Sequence, residues 1–509
     1  MTKQSFLKGA FILLLASLLV KVMGFLYQIM IIRLISPEGV GIFNMVFPLY
    51  ITVLVFSTMG LPPAIPKLTA EELAAGKYSN AEILLGTAVT LLVLFAAALS
   101  FSFIVLAPFF IKNLYTDPRV LPVLLFLLPT IVLVAVSSAL KGFFQGLQDM
   151  RPTAATQLIE QTVRIGTGLL LVCLLRPYGL TWSAVGLSLA VFCSELSGFI
   201  YLVVSYKHLF YGKLFQRPRL STMKRLLAFG IPVTVTRVIT SLVSTIEANL
   251  IPQQLKKMGY TLSQSTAFYG ELTGVAFTLL TIPTPLTYSL STTLVPAISE
   301  AASKKQMPLL SQRTSEALGI TLIVGVPCSL ILFFWGPLLS KLLFQVTQAG
   351  ELLQILALGG VFLYLLQTTI GILQGLGLVK TIFFTTLLGG LVKLAGIYFY
   401  GAHAAHGKVL IALSFASSYV LVALLNLAII ARKTKLSFER GFYLRLLLVS
   451  VLFSMSLISL MELAAQSVFL LVLLTLTLIL LFFLTLFLTG DQYVNLIFLH
   501  LSRILKRTP

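Results

Sequence analysis

Four basic residues, Lys21, Arg164, Arg237 and Lys393, lie inside apolar runs rather than between them, as do the carboxylates Glu160 and Glu247. A charge at bilayer depth costs about 2.5–3.5 kcal/mol on insertion scales, so such residues face a protein interior or a water-filled cavity. Cations placed there suit a phosphate or diphosphate, because Arg offers a planar fork of donors and Lys a compact point charge. Lys21 stands midway through the run 9–32, and a receiving cavity is preferred to snorkelling towards the interface. Arg237 and Glu247 are expected on one helix face but roughly 15 Å apart at 1.5 Å per residue, so each needs another partner or water. Glu160 and Arg164, spaced i,i+4, are expected to neutralise each other. Lys393 has Gly389 where an acidic partner would stand, which leaves it available for an anion or a distant carboxylate. Arg33, Glu160 and Arg164 are secondary binding candidates.

Other chemistries find little support. Each Gly-Lys pair, at Gly76, Gly212 and Gly407, is followed by Tyr78, Leu214 or Val409, whereas a phosphate loop needs Ser or Thr there. His403 and His406 form H-x-x-H without a nearby carboxylate, and a solvated loop is the preferred reading. Cys173, Cys193 and Cys328 sit in apolar runs and read as small hydrophobes. Neither an enzyme nor a cofactor or metal site is expected.

The elements that must position these charges follow from composition. The chain is 58% hydrophobic and 10% charged, against about 25% charged in soluble domains. Its apolar runs have membrane-span length, and lipid-exposed backbone must be helical to pair its own polar groups. Fourteen such runs between residues 9 and 489 make this an all-α polytopic membrane protein, and the first run is read as a retained span. With the N-terminus placed inside, alternate connections hold 24 basic residues inside and 8 outside, which puts both termini in the cytoplasm. The net charge of +20 is thus matched to anionic lipid and an anionic cargo, not to nucleic acid.

An internal repeat divides the chain. Lys141-Gly-Phe-Phe-Gln-Gly-Leu147 recurs as Ile370-Gly-Ile-Leu-Gln-Gly-Leu376 at an offset of 229, which also pairs Arg164 with Lys393. Upstream, Pro63-Ala64-Ile65 matches Pro296-Ala297-Ile298 at an offset of 233. A parallel repeat packs two lobes about a pseudo-twofold axis along the membrane normal. The expected parts are a six-helix lobe 1–206, a cytoplasmic linker 207–225, a second six-helix lobe 226–432, an extra helix pair 440–489 and an amphipathic cytoplasmic tail 490–509. Pro62 and Pro63, and Pro283 and Pro285, break corresponding helices of the two lobes and are read as gating elements, with simple kinks as the alternative.

Lys3-Gln-Ser-Phe-Leu-Lys-Gly9, Lys21-Val-Met-Gly-Phe25, Arg33-Leu-Ile-Ser-Pro-Glu-Gly-Val-Gly41 and Gly60-Leu-Pro-Pro-Ala-Ile65 resemble the N-terminal pattern of the stage V sporulation protein B group. That group lies in the polysaccharide-exporter branch of the multidrug/oligosaccharidyl-lipid/polysaccharide superfamily. The resemblance implies a flippase for undecaprenyl-diphosphate-linked sugars or peptidoglycan precursors in a bacterial cell membrane, working by alternating access, with use in sporulation. It implies a lipid-linked anionic saccharide, membrane lipids and a coupling ion, H+ or Na+, as partners. By Lys-x-x-Gly-Phe, Lys21 matches a basic residue of the central cavity in related lipid II flippases, with Lys where Arg is typical. Two alternatives stay open: a multidrug cation/proton antiporter, and a non-transporting cell-wall scaffold acting through the loop 206–225.

Overall fold

The computed structural model describes residues 6–209, 218–402, 406–434, 436 and 440–490. The core of the expected linker, His403 and almost all of the expected tail lie outside the described residues. Every regular element among them is helical. The chain divides into two compact units, Met1–Gly270 and Glu271–Pro509.

The first unit comprises α1 (Phe6–Thr58), α2 (Leu61–Ala74), α3 (Tyr78–Leu114), α4 (Val120–Leu127), α5 (Thr130–Gly146), α6 (Arg151–Leu175), α7 (Leu180–Leu209), α8 (Leu220–Lys257) and α9 (Leu262–Gly270). Two expected spans run together in α1, joined at Ser36, whose φ of 61° and ψ of 167° break the helix just before Pro37. The core is built by α6 on α7, α2 and α3 on α5, and α1 against α6, α8 and α9. Unit 1 therefore ends well past the expected lobe boundary at 206, because α8 and α9 pack on α1, α2 and α3.

Two glycine crossings make that packing close. Side chains at Gly41 and Gly270 would collide with the backbone at Thr266 and Pro37, and side chains at Gly60 and Gly230 would meet each other's segments in the same way. Charged clasps stand beside both crossings. Arg119 pairs with Glu38 at 2.8 Å and with Asp117 at 2.8 Å, while Thr266 donates to Asp117 at 2.8 Å. Arg225 bonds Glu72 and lies 3.4 Å from Glu71, beside Lys67, whose ammonium sits 4.7 Å from the Phe229 ring centre. In the loop before α4, the Asp117 carboxylate, followed by that of Glu38, holds the Arg119 guanidinium above its ordinary pKa against the opposing effect of burial.

The second unit comprises α10 (Phe277–Leu280), α11 (Thr284–Ser303), α12 (Met307–Phe334), α13 (Gly336–Leu339), α14 (Gln348–Leu358), α15 (Gly360–Gly375), α16 (Val379–Tyr400), α17 (Gly407–Thr434), α18 (Arg440–Ser459), α19 (Met461–Ala465) and α20 (Val468–Leu488). Wide π-helical turns span Glu271–Ala276 and Ser340–Phe344. The expected extra pair, α18 and α20, docks through α12, and the Trp335 indole fixes α18 by donating to the Leu457 carbonyl at 2.8 Å.

Among the described residues, ten helices are long and apolar enough to cross a bilayer, or eleven if the pair α14 and α15, bent by 51°, counts as one span. Two features separate this from the fourteen apolar runs: the first two runs share one helical segment, and the run 267–298 is broken into α9, α10 and α11. Proline marks that last break: α11 opens on Pro285 after the turn at Thr281–Pro283, and Tyr364 donates to the Leu280 carbonyl at 2.9 Å. Likewise α2 opens on Pro62 and Pro63, directly after Met59 and Gly60 in left-handed geometry. Pro is tolerated in a first turn because its missing N–H would have no intrahelical partner there.

The repeat is visible in atomic detail. A Cβ on Gly146 would lie 2.6 Å from the Thr69 Cβ and 2.8 Å from the Pro66 carbonyl oxygen; on Gly375 it would lie 2.8 Å from the Ile298 Cβ and 2.9 Å from the Val295 carbonyl oxygen. Thr69 and Ile298, like Pro66 and Val295, stand 229 residues apart. The offset of 229 therefore holds upstream as well, and the match of Pro63-Ala64-Ile65 to Pro296-Ala297-Ile298 is four residues out of register. Four residues is close to one turn of 3.6, which keeps the same face and conceals the slip. Both α5 and α15 also end alike: Gln148 (φ 60°) and Gly377 (φ 73°) close them in left-handed geometry, with the next amide returning to Phe144 and Leu373 respectively.

Candidate functional site in the first unit

The charges that the sequence places at bilayer depth are resolved unequally. Glu160 does not pair with Arg164. Its carboxylate instead accepts from the Lys141 ammonium at 2.8 and 3.1 Å, while Arg164 donates to Glu195 at 3.0 Å and to the Ser194 hydroxyl at 3.2 Å. The reason is the position of α6 between α5 and α7. An i,i+4 pair on one helix contributes only about 0.2–0.5 kcal/mol, whereas two interhelical pairs satisfy four charged groups that lipid would otherwise desolvate. Gly198 on α7 leaves the space that the Glu160 carboxylate fills.

Beside Arg164 lies a cavity of roughly 230 Å³ between α1, α6 and α7. Its polar lining comes from Tyr27, Gln28, Asn44, Gln161 and Arg164, its floor includes Gly24, and Phe43 and Phe47, with ring centres 5.6 Å apart, form an apolar wall. Gln161 is only 7% exposed, and among the described residues its amide has no hydrogen-bond partner. Arg164 alone of these was a sequence candidate. Tyr27, Gln28, Asn44 and Gln161 carry no charge, and they become legible only when three helices bring them together.

Lys21 is exposed on α1 and has no ion-pair partner among the described residues. Arg237 is exposed on α8, whereas Glu247 on the same helix is 7% exposed. The expected shared face is thus not kept, since ten residues at about 100° each leave the two side chains roughly 80° apart. Arg33 is exposed at the end of the first half of α1, next to the Ser36 break. Lys393 is not left open: its ammonium lies 4.7 Å from the centre of the Phe415 ring. The second unit has its own cavity, of roughly 520 Å³, with an apolar lining of Met307, Leu310, Leu376 and Leu378 and with Lys305 and Lys433.

The family model described as "Polysaccharide biosynthesis protein" matches residues 6–302, which is most of the first unit and the start of the second. The chain belongs to this family. The MatE model matches residues 272–399. Among curated relatives, "Stage V sporulation protein B" of Bacillus subtilis is 33% identical, over 86% of this chain and 86% of the relative. "Lipid II flippase MurJ" of the same organism is 25% identical, over 76% of each. In three dimensions the chain resembles the inward closed conformation of lipid II flippase MurJ with a TM-score of 0.69, at 15% identity and covering 92% of this chain and 97% of that one. The polytopic helical fold is thereby shared with that structure.

Proposed function

We propose that this chain is a secondary flippase that moves undecaprenyl-diphosphate-linked peptidoglycan or polysaccharide precursors across the bacterial cytoplasmic membrane by alternating access, with a role in spore or cell-wall synthesis. The observation that carries the reading is Lys21, a cation in the middle of a span with no ion-pair partner among the described residues. An uncompensated charge at that depth is retained where it meets an anion. Lys21 and Arg237 receive the diphosphate. Glu247 and Lys393, already engaged by neighbours, contribute only once those contacts open. The excess of basic residues on one set of connections favours cytoplasmic termini, and H+ or Na+ supplies the driving gradient. Pro62 and Pro63, with Pro283 and Pro285, supply the helix breaks about which gating turns. Kinship to relatives named for sporulation and for lipid II flipping supports the cargo class.

Proteoliposomes carrying the full chain and a fluorescent lipid II test the proposal. Lys21→Ala and Arg237→Ala are each expected to lower the translocation rate at least tenfold with insertion unchanged; wild-type rates in both variants would overturn the assignment.

A further inference from the structure

The cavity beside Arg164 is a built polar site, and its chemistry narrows its occupant. Its one cation is balanced by Glu195 at 3.0 Å, so the site presents little net charge to a ligand. A lipophilic cation would meet no open carboxylate in its lining, and a free diphosphate would compete with Glu195 for Arg164. What remains is a dense set of neutral donors and acceptors from Tyr27, Gln28, Asn44 and Gln161, opposite the aromatic wall of Phe43 and Phe47. Gln161 is the sharpest indicator. Its amide offers two donors and an acceptor, lines the cavity and makes no hydrogen bond among the described residues, so it can receive a hydroxyl- or amide-bearing ligand.

Size and register agree with one kind of ligand. A volume of roughly 230 Å³ equals about eight waters at ~30 Å³ each, close to the bulk of one sugar ring. On α1, Lys21, Gly24 and Gln28 follow i, i+3, i+7 spacing, which places them along one face. Gln28 stands about 10 Å beyond Lys21 at 1.5 Å per residue. An anion held at Lys21 would leave whatever is bonded to it within reach of Gly24 and the cavity mouth.

We propose that this cavity is the saccharide subsite of the first unit: it takes the sugar ring attached to the diphosphate, read by the Gln161, Gln28 and Asn44 amides and by Tyr27, with Arg164 held by Glu195 as a neutral edge. This deepens the flippase reading and rests on it for the order of the ligand along α1. Its closest rival, a site selective for the anion itself, uses the same residues differently and is separated by the test.

Full-length chain in nanodiscs is titrated with two probes, undecaprenyl diphosphate and undecaprenyl-diphosphate-linked N-acetylglucosamine, and the quantity read is the ratio of their affinities. Wild type is expected to prefer the glycosylated probe at least tenfold. Gln161→Leu, which keeps the bulk and removes the amide, brings the ratio near one, as does Gly24→Leu, which fills the cavity. Lys21→Ala weakens both probes and leaves the ratio high. A Gln161→Leu protein that is folded by thermal unfolding yet keeps the tenfold preference overturns the subsite, as does a wild-type ratio of one. Equal affinities of wild type and Lys21→Ala for both probes would refute the anion site of the flippase reading while leaving the saccharide ratio to stand on Gln161.

Discussion

The two units repeat one backbone plan and fill it with opposite chemistry. At an offset of 229, α2, α3, α5, α6 and α7 correspond to α11, α12, α15, α16 and α17, and the same helix pairs pack together in each unit. Yet Lys141 and Glu160 are replaced by Ile370 and Gly389, Ser194 and Glu195 by Ala423 and Leu424, and Gly198 by Leu427. One ion pair, Lys141 with Glu160, disappears whole, together with the glycine that made room for its carboxylate, whereas the other loses only Glu195. Only the cation at Arg164 persists, as Lys393, and it rests on the Phe415 ring instead of a carboxylate. A buried charge is tolerable with a partner and costly alone, and the cation that persists has exchanged its carboxylate for a ring.

The largest expected effect breaks one such pair. Glu160→Gln leaves the Lys141 ammonium without its counter-charge and should cost about 3 kcal/mol, read as resistance to denaturant in detergent. The double change Lys141→Ile with Glu160→Gln, which moves this corner towards the second unit, should recover more than half of the loss. Next, Gly146→Ala and Gly375→Ala test the shared frame: overpacking of this kind costs about 1–3 kcal/mol, and the two losses should agree within experimental error. A large disparity would break the equivalence of the units. Lys393→Met removes the cation above Phe415 and should cost about 0.5–2 kcal/mol in thermal unfolding, less than Glu160→Gln. The smallest effect is a gain. Gln148 adopts the left-handed geometry that Gly377 adopts in the other unit, so Gln148→Gly should stabilise by about 0.5–1 kcal/mol, the left-handed penalty less the entropy of glycine.

How far this was legible in the sequence depended on the range of the signal. Apolar runs announced the helices because lipid exposure and the helical backbone rule act locally. The twin Gly-x-x-Gln-Gly-Leu motifs announced the α2–α5 and α11–α15 contacts because close approach demands glycine at fixed places. The partner of Glu160 was misread because Arg164 is four residues away and Lys141 nineteen, and chain distance says nothing about which helix lies alongside. The Pro-Ala-Ile match was off by one turn, an error that periodicity cannot detect. Gln161 and Tyr27 went unnoticed because neutral polar residues in a span are commonplace until a cavity gives them something to face. The limits of individual spans were harder to read, because Ser36 joins two apolar runs without a loop and the turn at Thr281–Pro283 divides the run 267–298.

The membership of α8 and α9 in the first unit has a consequence for biogenesis. The seven helices α1–α7 do not finish that unit when they emerge from the ribosome, because the surfaces at Gly41 and Gly60 stay uncovered until the chain has been made through Gly270. The core of the unit is therefore complete only once α8 and α9, which begin at Leu220, have been synthesised.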